Sequence, residues 1–366
     1  MALSDPRLSE LSSVARSSRG ESAEDVVAPI DRLPKWLLCV PLALQVMWLG
    51  MKYRSITLPS VLNPGIENGG LVGESKFSYL ALIGAEFRSL VADTALVSPG
   101  DDLEKIRNAT GLSYPLIAKP DIGWCGYGVR RIENAQLLAA YAAAYPKSAR
   151  FLLQRLAVEP NEAGIHYVRR PSETRGRIVA LTIRHQPHVI GDGEATVAAL
   201  IAGSPATARK AELYHRLLGD VFLARVPRPG ERVELTTVAS VRVGGRYEDA
   251  TAMVSPKLAD AIDGLCRSMG EFHYGRLDVR FASVEQLRRG RFTIIEINGA
   301  GSEAIQYWDP RLSMRQAFAG VFAKQRELYE LADEVRRGGR QPPGWRAIAK
   351  AHLNQQKLIR EYPPSN

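Results

Sequence analysis

Two short segments in the last quarter of the chain constrain its fold more than any other feature. Residues 274–281 read Tyr-Gly-Arg-Leu-Asp-Val-Arg-Phe, and residues 292–298 read Phe-Thr-Ile-Ile-Glu-Ile-Asn. Alternate residues of a strand share a face. Arg276, Asp278 and Arg280 therefore point one way, between Leu277 and Val279. Glu296 and Asn298 share a face opposite Ile295 and Ile297. If the two strands are neighbours, Asp278, Glu296 and Asn298 converge as three hard oxygen ligands, a set that suits Mg²⁺. A polar face in which arginines pair with carboxylates accounts for the same pattern. Acids and an amide at the end of apolar strands are costly to bury without a partner, which tilts the reading toward function.

The surrounding sequence alternates strand-like and helix-like segments from Leu96 to about Ala319. Leu116–Lys119 and Phe151–Arg155 read as strands, and Glu133–Tyr145 as an Ala- and Leu-rich helix. Arg177–Ile183 and His188–Ile190 read as a pair of strands. Thr196–Ala202, Thr207–Leu218 and Pro256–Met269 read as helices, the last with Pro near its start and Gly270 just past its end. The order predicts an α+β fold and not a strictly alternating doubly wound sheet. At roughly 150 residues per domain, 366 residues make two or three folding units. With 45% hydrophobic and 24% charged residues, the chain is neither wholly disordered, collagen-like nor a polytopic membrane protein. Its three cysteines, Cys39, Cys125 and Cys266, lack metal-like spacing.

The ends read differently. Residues 1–33 are polar and predict a flexible arm, with no secretory signal. Trp36–Met51 is apolar but only 16 residues long, broken by Pro41 and Gln45, against about 20 for a span. It predicts a helix packed on the protein's own core. Trp36, Trp48, Lys52 and Arg54 would also suit a membrane surface. An amphipathic helix over about 313–336 is broken by Arg337–Gly344, and a more basic helix follows over about 345–360.

Two further segments carry chemistry. Lys119 stands at the end of a strand, before Gly123, Gly126 and Gly128. Glycines let backbone N–H groups close on an anion that a lysine neutralises. This is neither a Walker A loop nor a dinucleotide fingerprint, and a glycine-rich hairpin without a ligand remains open. In Ile190-Gly-Asp192-Gly-Glu-Ala-Thr196 a strand turns and a helix starts; a tight turn plus a helix cap explains it fully.

In this order the three features resemble the ATP-grasp superfamily, specifically its carboxylate–amine ligases, such as D-alanine–D-alanine ligase, glutathione synthetase and cyanophycin synthetase. The similar region runs from about Ser75 to Ala319. The Arg-x-Asp strand followed by Glu-x-Asn is its most specific part, and the Ile-Gly-Asp-Gly-x-x-Thr stretch is most similar to cyanophycin synthetase. The resemblance implies two α+β lobes clamping ATP, over residues 75–319, with a lid lobe over about 110–158. It assigns Lys76 and Lys119 to the phosphates and Gly123, Gly126 and Gly128 to a flexible lid. Gln154, Arg155, Leu156 and Ala157 would read adenine through their backbone. Glu162, which stands one residue further from Gln154 than the resemblance implies, would hold the ribose, with Glu159 as the alternative. Arg184 would reach the phosphates or the bound substrate. Asp278, Glu296 and Asn298 would hold magnesium, most simply two ions, with Mn²⁺ as a substitute. Arg276, with Lys119, would stabilise the transferring phosphoryl group. Arg280, Ser302 and Glu303 would face the substrate.

One departure stands out. The family usually carries a substantial Rossmann-like domain before the lysine placed at 76, and here only 75 residues precede it. Residues 34–74, an apolar helix and a Gly-rich segment, replace that domain, and 63–74 would supply substrate contacts. The reaction the resemblance implies is formation of an acyl phosphate from a carboxylate and ATP, then its capture by an amine. A kinase acting on a hydroxyl, or a non-catalytic ATP-binding protein at a membrane surface, are the alternatives. The partners would be small-molecule acid and amine, with no nucleic acid, in the cytoplasm, with peripheral membrane contact left open, as is the oligomeric state. The 48 basic residues, 37 of them Arg, exceed the 39 acidic ones by nine; they are spread along the chain, and several fall at phosphate positions. Cys125 is expected to be incidental. His166, His185 and His188 are expected to bind no metal.

Overall fold

A computed structural model describes residues 27–365, apart from the Lys35 side chain. Most of the arm expected over 1–33 lies outside the described residues. Its last part is not loose: Ala28 and Ile30 are buried in a short 3₁₀ turn, packed against Ala317, Leu38 and Trp308.

The chain then forms helix α1 (Lys35–Lys52). Only one side of it meets the protein, through Leu38, Leu49 and the Gln45 amide, which donates to the Phe322 carbonyl. Trp36, Val40, Leu44, Met47, Trp48 and Met51 are exposed on the other side. The expectation of packing on the protein's own core thus holds for half the helix. No described helix is long and apolar enough to cross a membrane.

Helix α2 (Lys76–Ala81) is capped by Ser75, whose hydroxyl oxygen accepts from the Ser78 N–H. The chain continues through β1 (Thr94–Val97), α3 (Leu103–Ala109), β2 (Leu116–Pro120), β3 (Arg130–Ile132), α4 (Ala135–Ala144) and β4 (Phe151–Arg155). The four strands form one antiparallel sheet in the order β1-β4-β2-β3. Its core is Val97, Leu116, Ile132, Leu138, Tyr141, Phe151 and Leu153. This lobe begins at residue 94 and not near 110, because β1 pairs with β4.

The larger sheet follows: β5 (Asn161–Val168) and β6 (Arg177–His185), then an insertion, then β9 below. The insertion holds β7 (His188–Ile190), α5 (Val197–Gly203), α6 (Pro205–Ala208), α7 (Ala211–Leu223) and β8 (Arg232–Glu234) around its own core of Val189, Ile201, Tyr214 and Val233. Here the sequence reading fails in one respect. β7 pairs with β8, while β6 pairs with β5 and with β9 (Arg246–Asp249). The segment between β6 and β7 turns the chain off the sheet edge, and strand signals alone do not specify a partner.

Helix α8 (Pro256–Ser268), β10 (Tyr274–Phe281), α9 (Val284–Arg288) and β11 (Thr293–Asn298) complete the fold core. The five-stranded antiparallel sheet has the order β11-β10-β5-β6-β9. Leu277, Val279, Phe281, Ile294 and Ile297 lie on its buried face with Ile262, Leu265 and Cys266 of α8. Burying each such side chain contributes about 1.5–3 kcal/mol. The opposite face carries the charges.

Helix α10 (Met314–Arg337) starts at a capping box in which Ser313 and Gln316 satisfy one another's backbone groups. It packs beside α1 and on Leu58 and Leu62. Helix α11 (Trp345–Glu361) returns to the smaller lobe, where Leu358 and Tyr362 enter the core around Tyr145.

Candidate active site

The two sheets meet along a cavity of about 670 Å³. Lys76, Lys119, Gln154, Glu162, Arg184, Arg276, Asp278, Glu296 and Asn298 all line it. These residues come from α2, from both lobes and from six strands of the two sheets, so the fold and not sequence proximity brings them together.

The acidic centre is built by strand register. In the β10–β11 pair Arg276 stands opposite Asn298 and Asp278 opposite Glu296. Asp278 is buried and heavily partnered. Arg276 donates to both its oxygens at 2.7 and 3.0 Å, and Arg184 approaches Oδ2 at 3.0 Å. The Asn298 amide nitrogen lies 3.4 Å from the same Oδ2, which leaves its own amide oxygen free to accept. Glu296 pairs with Lys76 at 2.6 Å. Burial alone would raise the Glu296 carboxyl, but the Lys76 and Lys119 cations overcome it and hold it down to about 2.

The donors expected to hold magnesium therefore do face one space. Two carboxylates and a free amide oxygen are the hard donors such an ion takes, and the cations around them are of the kind that share phosphate oxygens. The residues fit the ion. Among the described residues no group of three His, Cys, Asp or Glu has metal-holding geometry, so an ion here relies on Asn298 and on phosphate for its remaining ligands.

Lys119 and Lys76 reach this space by different routes. Lys119 leaves β2 buried, donating to the Gln154 side-chain oxygen at 2.9 Å and to the Ile295 carbonyl at 2.7 Å. Burial lowers its ammonium to about 8, against the opposing pull of Glu296. Lys76 is set by the buried Asp121 at the end of β2. Asp121 accepts from the Ser75 hydroxyl at 2.7 Å and from the Phe77 N–H at 3.0 Å. The lysine then donates to the Gly123 carbonyl at 3.3 Å.

The glycine-rich loop has the required conformation, but it is tied down. Gly126 and Gly128 both have φ of 72°. A Cβ on Gly126 would lie 2.6 Å from Val238, and one on Gly128 would lie 2.7 Å from Pro120. The Gly126 carbonyl accepts from the Ser365 hydroxyl at 2.6 Å, and the Ile122 carbonyl from the Tyr362 hydroxyl at 2.6 Å. Arg242 donates to the Cys125 carbonyl at 3.0 Å and stacks over Tyr127. Gly123 and Gly126 line the cavity; Gly128 does not, its carbonyl accepting from Tyr141 behind the loop. Burial pushes the Cys125 thiol up to about 12, so it holds little thiolate at neutral pH.

On the opposite wall, Arg155, Leu156 and Ala157 line the cavity at the end of β4. Glu162 faces it, bridged to Arg184 at 2.8 Å and Arg280 at 3.2 Å. Glu159 does not; its carboxylate accepts from Thr293 instead. Arg280, Ser302 and Glu303, the residues expected to face the substrate, line the cavity. His166 is buried, its Nε2 against the Glu303 carbonyl, and burial lowers its pKa. His188 and Asp192 lie away from this cavity. The Asp192 carboxylate accepts from the N–H groups of Glu194 and Ala195 within its own turn.

Several contributors are absent from the sequence reading. Lys324 of α10 donates to the Ser302 carbonyl at 2.9 Å and braces the substrate-facing loop. Burial lowers its ammonium to about 8. Residues 63–74, which the sequence reading assigned to substrate contacts, also brace that loop from the other side: the Gly301 N–H donates to the Gly70 carbonyl at 2.7 Å. A Cβ on Gly70 would lie 2.7 Å from Gly299. Asn63 ties this segment to β10 through hydrogen bonds to the backbone of His273 and Tyr274. Only the cluster of glycines at 65–73 hinted at such close backbone approach. Tyr247 and one face of α11 also line the cavity, with no local signal for either.

Comparison with known proteins adds to this geometry. No protein-family model matches the chain. It is 26% identical over 318 residues to the cyanophycin synthetase of Synechocystis sp., covering 78% of this chain and 34% of that protein. It is 27% identical over 220 residues to the cyanophycin synthetase of Nostoc sp., covering 55% and 23%. The chain thus spans about a third or less of the curated relatives it matches. Among solved structures, D-alanine–D-alanine ligase from Bacillus anthracis matches with a TM-score of 0.43 and 12% identity, over 74% of this chain and 70% of that one. The bifunctional glutathione synthetase from Pasteurella multocida gives 0.37 and 15%, over 70% and 36%. In sequence, and in the ordered set of motifs that its two sheets bring to one cavity, the chain resembles the ATP-grasp carboxylate–amine ligases, with cyanophycin synthetases among its relatives.

Proposed function

We propose that the chain is an ADP-forming, Mg²⁺–ATP-dependent ligase that activates a small-molecule carboxylate and couples it to an amine. The observation that carries this reading is one cavity in which four cationic side chains, Lys76, Lys119, Arg184 and Arg276, surround Asp278, Glu296 and Asn298. Bound magnesium would supply charge neutralisation between β- and γ-phosphates. Lys119, already desolvated, gains most from an incoming phosphate because its cation is poorly solvated in the free site. Lys76 would exchange Glu296 for a phosphate oxygen, and Glu296 would then be available with Asp278 and Asn298 to hold the ion. Arg276, held in plane by Asp278, is oriented toward charge that develops on the transferring group. Glu162 would take the ribose hydroxyls, in preference to Glu159, because it alone of the two faces the cavity. The backbone of residues 154–157 would take the adenine edge.

The acid and the amine would meet near Ser302 and Glu303. Attack of the acid on the γ-phosphorus releases ADP, and the amine then displaces phosphate from the acyl carbon. The experiment that tests this uses an acid labelled with ¹⁸O in its carboxylate. A ligase moves one labelled oxygen into inorganic phosphate. A kinase leaves the phosphoryl group on its acceptor, and that result would replace the ligase reading. The exposed apolar side of α1, bounded by Lys52 and Arg54, supports peripheral contact with an anionic bilayer beside this chemistry, which sedimentation with anionic vesicles reads directly.

A further inference from the structure

The cavity is not charged throughout, and its uncharged part is made by an element outside the ATP-grasp-like region. Trp345, Ile348, Ala349, His352, Gln355 and Gln356 of α11 line it. Their spacing of three and four residues is that of a single helix face. That face is graded. Its last turns approach the glycine loop, since Leu358 and Tyr362 pack on the smaller lobe and Tyr362 bonds to Ile122. There it is polar. Its first turn lies at the other end, where the Thr57 hydroxyl donates to the Pro343 carbonyl at 2.8 Å. There it is apolar, and Ile56, Leu71 and Val72 line the same cavity. Trp345 and Ile56 are both half or more exposed. Exposed large apolar side chains grouped at the mouth of a cavity that holds four phosphate-type cations mark a place for an apolar group.

A carboxylate stands at the border of the two halves. Glu74 follows Leu71 and Val72 in the wall, and its Oε2 is buried without a hydrogen-bond partner. The cation that acts on it, Lys76, is engaged by Glu296 and the Gly123 carbonyl. Burial of the Glu74 carboxyl raises its pKa despite Lys76. A buried carboxylate oxygen that lacks a donor, on a residue that lines the cavity, calls for a cationic or hydrogen-bond-donating ligand.

We infer that this chain binds an amine bearing an apolar chain, its ammonium group on Glu74 and its chain against Leu71, Trp345 and Ile348. The inference rests on the ligase reading only for what the amine is used for. Binding itself is a property of Glu74 and α11, and it is tested without nucleotide.

The test follows the tryptophan fluorescence of the full chain during titration with ethylamine, n-octylamine and n-octanoate. Each methylene that becomes buried tightens binding roughly fourfold. Octylamine is therefore expected to bind at least about tenfold tighter than ethylamine even if only two of its extra methylenes are covered. Octanoate should bind more weakly than octylamine. Glu74→Gln should weaken ethylamine and octylamine alike. Ile348→Ser and Trp345→Ala should shrink the advantage of octylamine over ethylamine; Trp345 is largely exposed, so its variant guards against misfolding of the first. Titration of the Trp345 variant follows the remaining tryptophans. Equal affinity for ethylamine and octylamine, octanoate binding as tightly as octylamine, or amine affinities indifferent to Glu74→Gln would each overturn the inference. A parallel titration with a fluorescent ATP analogue and Mg²⁺ keeps the two readings apart. Failure there strikes the ligase assignment and leaves the amine result standing.

Discussion

The two lobes contribute to one cavity in opposite ways. The five-stranded sheet presents side chains: Arg276, Asp278, Arg280, Glu162 and Arg184 stand on three adjacent strands and brace one another by ion pairs. The four-stranded sheet brings fewer charges, with Lys119 and Gln154 as its buried polar side chains at the cavity. The first lobe draws its core from residues 66–297, whereas the second needs Leu358 and Tyr362 from the far end of the chain. The larger lobe is thus a charged template that holds its own shape. The smaller one is a cover whose core and glycine loop depend on α11.

Experiments that remove one contribution at a time sharpen this contrast. The largest expected effect lies in the template. Asp278→Asn and Glu296→Gln should each lower ADP release by about three orders of magnitude, with the circular dichroism spectrum unchanged. Full activity in both would remove the ligase assignment. Next comes the cover. Leu358→Ala should cost about 3 kcal/mol, read as lost hydrogen-exchange protection in β2 and β4 while β5 and β10 keep theirs. Equal loss in both sheets would mean that the lobes are not separable. A smaller effect follows from Lys119, whose ammonium is lowered to about 8. Below that pH the cation is present for phosphate; above it the lysine must take up a proton on binding. Affinity for an ATP analogue should therefore fall above pH 8, by at most about tenfold per unit, and Lys119→Met should abolish that slope. Arg242→Ala, which releases one of the ties on the glycine loop, should change analogue affinity only a few-fold, seen by fluorescence titration. Cys125→Ser should leave phosphate release unchanged, because the thiol is buried and protonated.

The contrast between lobes is also the boundary of what the sequence made legible. Strands β10 and β11 could be read in part because alternation encodes both faces locally, and the register places Asp278 against Glu296. Alternation fails at the bulge that follows, where Ile295, read as facing away with Ile297, lines the cavity and Ile294 takes the core side. Gly126 and Gly128 could be read because a positive φ has few chemical solutions. The partner of β7 could not, since a three-residue strand carries no information about its neighbour. Nor could the brace that Lys324 supplies to the Ser302 carbonyl, or the exclusion of Gly128 from the cavity it helps to shape. In each case a contact spans a sequence distance over which no periodicity survives.

What the sequence determined alone is the chemistry: which strands alternate, which residues are hard oxygen donors, which lysines and arginines stand beside glycines or carboxylates. These are properties of neighbours a few residues apart, set by backbone geometry and side-chain type. Tertiary structure alone decided who shares a cavity. It turned the Gly-Asp-Gly segment away from the site and set Glu162 rather than Glu159 toward it. It also brought one face of α11 from the end of the chain against Leu71 and Glu74 near its start. Such placements minimise the exposed apolar surface and the unpaired charge of the whole chain at once, and no local segment contains that sum.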